Sequence, residues 1–114
     1  MPNHAVKLDR VFLALSDPTR RAVLQRLSAG TASTLELAAP FDMALSSFTQ
    51  HLRMLERFGL VKSKKSGRVR TFELGTKHLQ VAEDWILDRR RLWERRLDQL
   101  DAYVHGMKEN EGEE

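Results

Sequence analysis

The chain has 114 residues, which suffices for one domain with a modest core and not for two. Its formal charge is only +3, but residues 44–74 carry seven basic and two acidic side chains, whereas residues 75–114 carry seven basic and ten acidic ones. With no cysteine there is no disulfide, thiol nucleophile or thiolate metal site; no run of about 18 apolar residues could span a membrane, and Met1-Pro2-Asn3-His4 does not open a signal peptide, so a cytoplasmic location is expected.

Residues 5–15 place Leu8, Val11, Phe12 and Leu15 on one helical stripe. A second helix is predicted from Pro18 to about Ser28, with Asp17 as N-cap, Pro18 in the first helical position, Val23, Leu24 and Leu27 inward, and Gly30 closing it. Ser33-Thr34-Leu35-Glu36 reads as a capping box that opens a short third helix, with Leu35, Leu37 and Ala38 available to the core and Pro40 ending it. A fourth helix is predicted over about Ala44–Phe58. Its apolar residues Leu45, Phe48, Leu52 and Leu55 recur at helical spacing, Ser46, Thr49, Gln50, Arg53 and Arg57 lie on the other side, and Gly59 stops it. Strands are expected over about 60–64 and 69–74 around a Ser66-Gly67 turn, with Lys62, Lys64, Lys65, Arg68 and Arg70 decorating the hairpin. A long helix from Thr76 to about His105 follows, and the acidic stretch 106–114 is expected to be a disordered tail.

The predicted fold is therefore mainly α with a small β-hairpin, a winged helix-turn-helix within residues 1–105. Residues 33–58 form its helix-turn-helix, 60–74 its wing, and 5–15 and 76–105 its flanking helices. In a helix-turn-helix the second helix lies in the major groove, where each base pair shows a distinct pattern of donors, acceptors and methyl groups. Short or bidentate polar groups near the start of that helix suit this task, and Ser46, Ser47, Thr49 and Gln50 are such a set, with Arg53 one turn further on. Gln50 has the geometry to pair bidentately with adenine. The hairpin's five cations are suited to phosphates, which add affinity with little sequence information. The expected partner is double-stranded DNA. The alternative is a protein-interaction module that keeps the fold without reading DNA. No nucleophile–base pair, phosphate loop or metal triad suggests an enzyme, and no cofactor is expected. His51 and Ser47 are four apart, but nothing evident in the sequence orients them. A helix carrying both Trp85 and Trp93 has more apolar surface than so small a monomer buries, which points to dimerisation.

LALSDPTRRAVLQRL (13–27) and SSFTQHLRMLERFGLVKSKKSGRVRTFEL (46–74), followed by a long helix, resemble the ArsR/SmtB family of bacterial winged-helix repressors over about residues 8–104. The resemblance implies a homodimeric repressor whose first and last helices pair across a two-fold axis. Leu8, Phe12, Trp85, Trp93, Leu97, Leu100 and Val104 are the interface residues this implies. It also implies an operator with inverted half-sites about one helical turn apart. By position, Ser47, Thr49 and Gln50 match residues that face bases, and Arg68 matches the wing tip. The chain departs from metal-sensing members: Ser33 and Leu35 stand where those have cysteines, and the last helix offers only Asp84, Asp101 and His105, with His78 at its start. No metal site is expected, and the resemblance is to a metal-independent branch. Ala44 stands where the family often has a serine N-cap, and Asp42 is the candidate substitute.

Overall fold

In the computed structural model, residues 4–112 are described. They form α1 (His4–Leu15), α2 (Pro18–Leu27), β1 (Ala32–Ser33), α3 (Thr34–Ala38), α4 (Leu45–Arg57), β2 (Val61–Ser66), β3 (Val69–Leu74) and α5 (Thr76–Gly112). The chain divides into two compact units, one ending at Ala82 and the other starting at Glu83. None of the described helices is long and apolar enough to cross a membrane.

Local chemistry accounts for most boundaries in the first unit. The Asp17 carboxylate accepts the Arg20 backbone N–H at 3.0 Å and Pro18 occupies the first turn of α2. Ser33 and Glu36 form the expected reciprocal capping box, with bonds of 3.2 and 3.1 Å. After α4 the chain reverses through Gly59 at φ +77°, where a Cβ would run into the His78 ring, so both the backbone angle and the space demand glycine. The wing turns at Gly67-Arg68 with φ positive only at Gly67 (+63°), the pattern of a type II′ hairpin.

The sheet is antiparallel in the order β1-β3-β2. β2 pairs with β3 from Val61↔Leu74 to Ser66↔Val69. β1 adds two residues to the other edge of β3 through Ala32↔Phe72 and Ser33↔Thr71. The sequence reading lacks this strand, because two residues carry no periodicity and the pairing exists only once β3 is in place.

The core gathers Val11 and Ala14 from α1, Val23, Leu24 and Leu27 from α2, Leu37 from α3, and Phe48, Leu52 and Leu55 from α4. Ala32, Leu60, Val61, Phe72 and Ala82 complete it. Three expectations need correction. Leu45 belongs to the predicted stripe of α4 but is 51% exposed, because it sits in the first turn and buried contact begins at Phe48. Leu35 is 70% exposed; a five-residue helix has one turn to present, and Leu37 takes the inward place. α5 does not end at His105 but continues through Gly106 to Gly112. Gly106 has no positive φ and so makes no helix stop; its cost of about 1 kcal/mol within a helix is opposed by the good helix formers Met107, Lys108 and Glu109 that follow. Of the predicted tail, residues 113 and 114 lie outside the described residues.

Phe48 is fully buried, so Phe48→Ala is expected to lower the free energy of unfolding by about 3–5 kcal/mol in urea titrations. Leu45→Ala, on the same predicted stripe, should change it by about 0.5 kcal/mol or less.

Candidate nucleic-acid interface

α4 is fastened through one side and open on the other. Phe48, Leu52 and Leu55 are buried, while Ser46, Ser47, Gln50 and Arg53 are exposed on the opposite side. These expected base-reading residues therefore share one outward surface. Thr49 is half-buried at its margin and donates its hydroxyl proton to the Leu45 carbonyl at 2.7 Å. Its one donor is thus spent within the helix, which leaves an acceptor oxygen and a methyl group for contact. α4 starts where the sequence places it, with Ala44 as N-cap and no side-chain cap bond; Asp42 does not substitute.

The position of α4 relative to the first two helices is set by Arg20, which the sequence reading overlooked. This arginine is only 8% exposed. Its guanidinium donates to the carbonyls of Ala14 (Nε, 2.8 Å) and Leu13 (Nη2, 3.0 Å), and so satisfies the carboxyl end of α1. Its third nitrogen lies 3.2 Å from Nδ1 of His51 on α4. Asp17 approaches the same ring nitrogen at 3.7 Å. An unprotonated Nδ1 accepts from Arg20, and a protonated one pairs with Asp17. His51 is therefore oriented, contrary to the expectation that nothing holds it, and what holds it is structural. Burial pushes the Asp17 carboxyl upward, but the Arg20 amide bond and the charges of His51 and Arg20 outweigh it, leaving the group below its ordinary value. The available signal in the sequence was an arginine at an inward helical position of α2, three residues after the N-cap.

The wing's cations are split between the two sides of the hairpin. Side chains alternate along a strand. Ser63 and Lys65 therefore follow buried Val61, and Arg70 shares that side with buried Phe72. Lys62 and Lys64 lie on the other side, and Arg68 is in the turn. Lys65 stands directly opposite Arg70, a like-charge pair that disfavours the bare hairpin. Arg70 donates to the Ser63 hydroxyl at 2.7 Å, and Ser63 donates in turn to the Glu56 carboxylate of α4. This relay ties the wing to the carboxyl-terminal part of α4. Thr34, Thr49, Arg53, Glu56 and Arg70 line a depression of about 370 Å³ between them. Ser63 and Glu56 were not singled out by the sequence, since neither type is distinctive until the hairpin folds beside α4.

Among the described residues no three His, Asp or Glu side chains gather as metal ligands. The two histidines near the classical positions have other surroundings: His78 lies over Gly59, and His105 bonds through Nδ1 to the Asp101 carbonyl at 2.8 Å.

A helix-turn-helix domain family matches residues 15–64. The transcriptional repressor SdpR of Bacillus subtilis is 31% identical over 81 residues, 71% of this chain and 90% of that protein. A crystal structure of an ArsR family transcriptional regulator superposes with a TM-score of 0.77 at 47% identity, covering 82% of this chain and 97% of the other. The chain belongs to the ArsR family. It is thus a DNA-binding transcriptional regulator with a winged helix-turn-helix. A homodimeric winged helix-turn-helix domain from Mycobacterium bovis shares the fold, with a TM-score of 0.61 at 21% identity over 77% of this chain and 83% of that one. In this ArsR-family chain, α3 and α4 are the helix-turn-helix and β2–β3 is the wing.

Asp17→Ala is expected to lower stability at pH 7 by about 1 kcal/mol through loss of the α2 cap. An acid whose pKa falls on folding stabilises the fold above its unfolded value and loses that contribution as pH falls. The gap between wild type and Asp17→Ala in urea titrations should therefore persist at neutral pH and close as pH drops below about 3.8. Arg20→Met removes bonds to two carbonyls and His51, and should cost about 2–4 kcal/mol in the same measurement.

Proposed function

We propose that the chain is a homodimeric repressor that binds an inverted-repeat operator in the bacterial cytoplasm. The observation that carries this reading is the two-sided α4: an outward surface of Ser46, Ser47, Gln50 and Arg53, a buried Phe48–Leu52–Leu55 side, and a cationic wing beside it. Ser46, Ser47, Thr49 and Gln50 read base edges, Thr49 through its acceptor and methyl group. Arg53 reaches a base or the adjacent phosphate. Lys62, Lys64, Lys65, Arg68 and Arg70 bind phosphates along the duplex, and a phosphate near Lys65 and Arg70 relieves the repulsion between them. The reading involves binding and no catalysis. In its support, His51, four residues after Ser47 on α4, is engaged by Arg20 and Asp17.

The dimer reading rests on apolar surface. On α1, Phe12 is exposed and Leu8 half-buried. On α5, Trp85, Trp93, Leu97, Leu100 and Val104 are exposed, Trp93 by 62%. So much exposed apolar surface on each unit indicates association. A two-fold dimer places two copies of α4 against two half-sites related by inversion.

Titration at about 150 mM salt should show at least a thousandfold preference for the operator over scrambled duplex; equal affinity would instead fit an interaction module. Gln50→Ala should relax the preference at one base pair by about 1–3 kcal/mol, and Arg68→Ala should weaken all duplexes alike and reduce the salt slope by about one.

A further inference from the structure

Leu45 is an apolar residue that α4 leaves outside the core. It is 51% exposed in the first turn, although Phe48, Leu52 and Leu55 on the same helix are buried. Ala44, just before it, is also exposed and makes no side-chain cap. The helix therefore begins with two side chains that neither donate nor accept a hydrogen bond, and the polar pair Ser46 and Ser47 comes after them. Folding does not account for Leu45, since half of the residue stays in water.

Residues four apart lie side by side on a helix, so Leu45 and Thr49 share one flank of α4. Thr49 donates its hydroxyl proton to the Leu45 carbonyl at 2.7 Å, and that bond fixes its χ1 rotamer. With the hydroxyl turned to the backbone, the threonine methyl is held in a set place. Leucine's isobutyl group and this methyl make a small apolar surface at the amino-terminal end of the helix, bordered by the exposed Ser46, Gln50 and Arg53.

The major groove offers such a surface one match. Thymine carries a 5-methyl group on its groove edge, whereas the edges of guanine, adenine and cytosine present polar groups and no methyl. A leucine set against one of those would strip water from a polar group and return no bond. The amino-terminal residues of the second helix are the ones a helix-turn-helix brings to base edges, and Leu45 is the first residue of α4.

We propose that Leu45, with the Thr49 methyl beside it, packs against the 5-methyl group of one thymine in each operator half-site and so selects thymine over the other three bases there. The inference rests on the base-reading role proposed above for α4 and adds a residue to it.

Deoxyuridine differs from thymidine by that methyl alone, so it probes the contact without disturbing a hydrogen bond. The full chain first selects an operator from random duplexes. Its thymines are then replaced by deoxyuridine, one symmetry-related pair of positions at a time, and binding is titrated. At one such pair, loss of the buried methyl should raise the dissociation constant of the wild type about fourfold per half-site, about fifteenfold in all. Leu45→Ala should bind the unmodified operator about as weakly as the wild type binds the replaced one, and should not respond to the replacement. Thr49→Ser keeps the hydroxyl and loses the methyl, and should show an intermediate response; an unchanged response removes Thr49 from the contact. An operator that responds to no deoxyuridine, or responds equally with wild type and Leu45→Ala, overturns the thymine contact and leaves base reading by α4 standing. Failure to select any sequence over scrambled duplex overturns both.

Discussion

A helix that presents one face to another molecule can be held only through the other, and α4 shows how much depends on that side. Phe48, Leu52 and Leu55 sink into a core drawn from α1, α2, α3 and the sheet. Burying three such side chains contributes several kcal/mol, about 1.5–3 for each. That anchorage has to hold the outward residues without touching them. The helix also lacks a side-chain cap at Ala44, so its first turn relies on packing more than most helices do. Arg20 supplies the remaining constraint. One buried guanidinium satisfies the end of α1 and reaches His51 on α4, and so couples the orientation of α4 to the two helices before it. Because the charge is buried, removing any partner leaves an unsatisfied group.

The wing is coupled to the same helix by weaker, exposed contacts. The Arg70–Ser63–Glu56 relay joins strand to helix, while Lys65 and Arg70 repel across the hairpin. Both lie on the same side of the hairpin, where the relay draws Arg70 toward a carboxylate while Lys65 repels it.

The second unit has a different economy. Its helix has no core of its own among the described residues, and Trp93, Leu97, Leu100 and Val104 are exposed. An isolated helix gains little from propensity alone and is ordinarily stabilised by covering its apolar face.

The order of the helices and the hairpin, the Asp17 cap, the Ser33–Glu36 box, the glycine turns and the exposed polar row of α4 were all legible in the sequence, because each depends on residues close to one another in the chain. Periodicity also placed most of the core. It erred at Leu45 and Leu35, since spacing marks a face but not where along that face the neighbouring elements begin and end. The acidic stretch from 106 misled because it lacks apolar anchors, yet the good helix formers Met107, Lys108 and Glu109 carry α5 on to Gly112. What only the tertiary structure decided are the contacts between residues distant in sequence. β1 exists because β3 offers an edge, His51 is held because Arg20 and Asp17 arrive from another helix, and the wing's cations divide between two sides because strand register sets which way each one points. The helix-turn-helix and the outward polar row of α4 follow from local pattern. The link between that helix and the two before it includes a buried arginine whose contacts appear only once three helices meet around it.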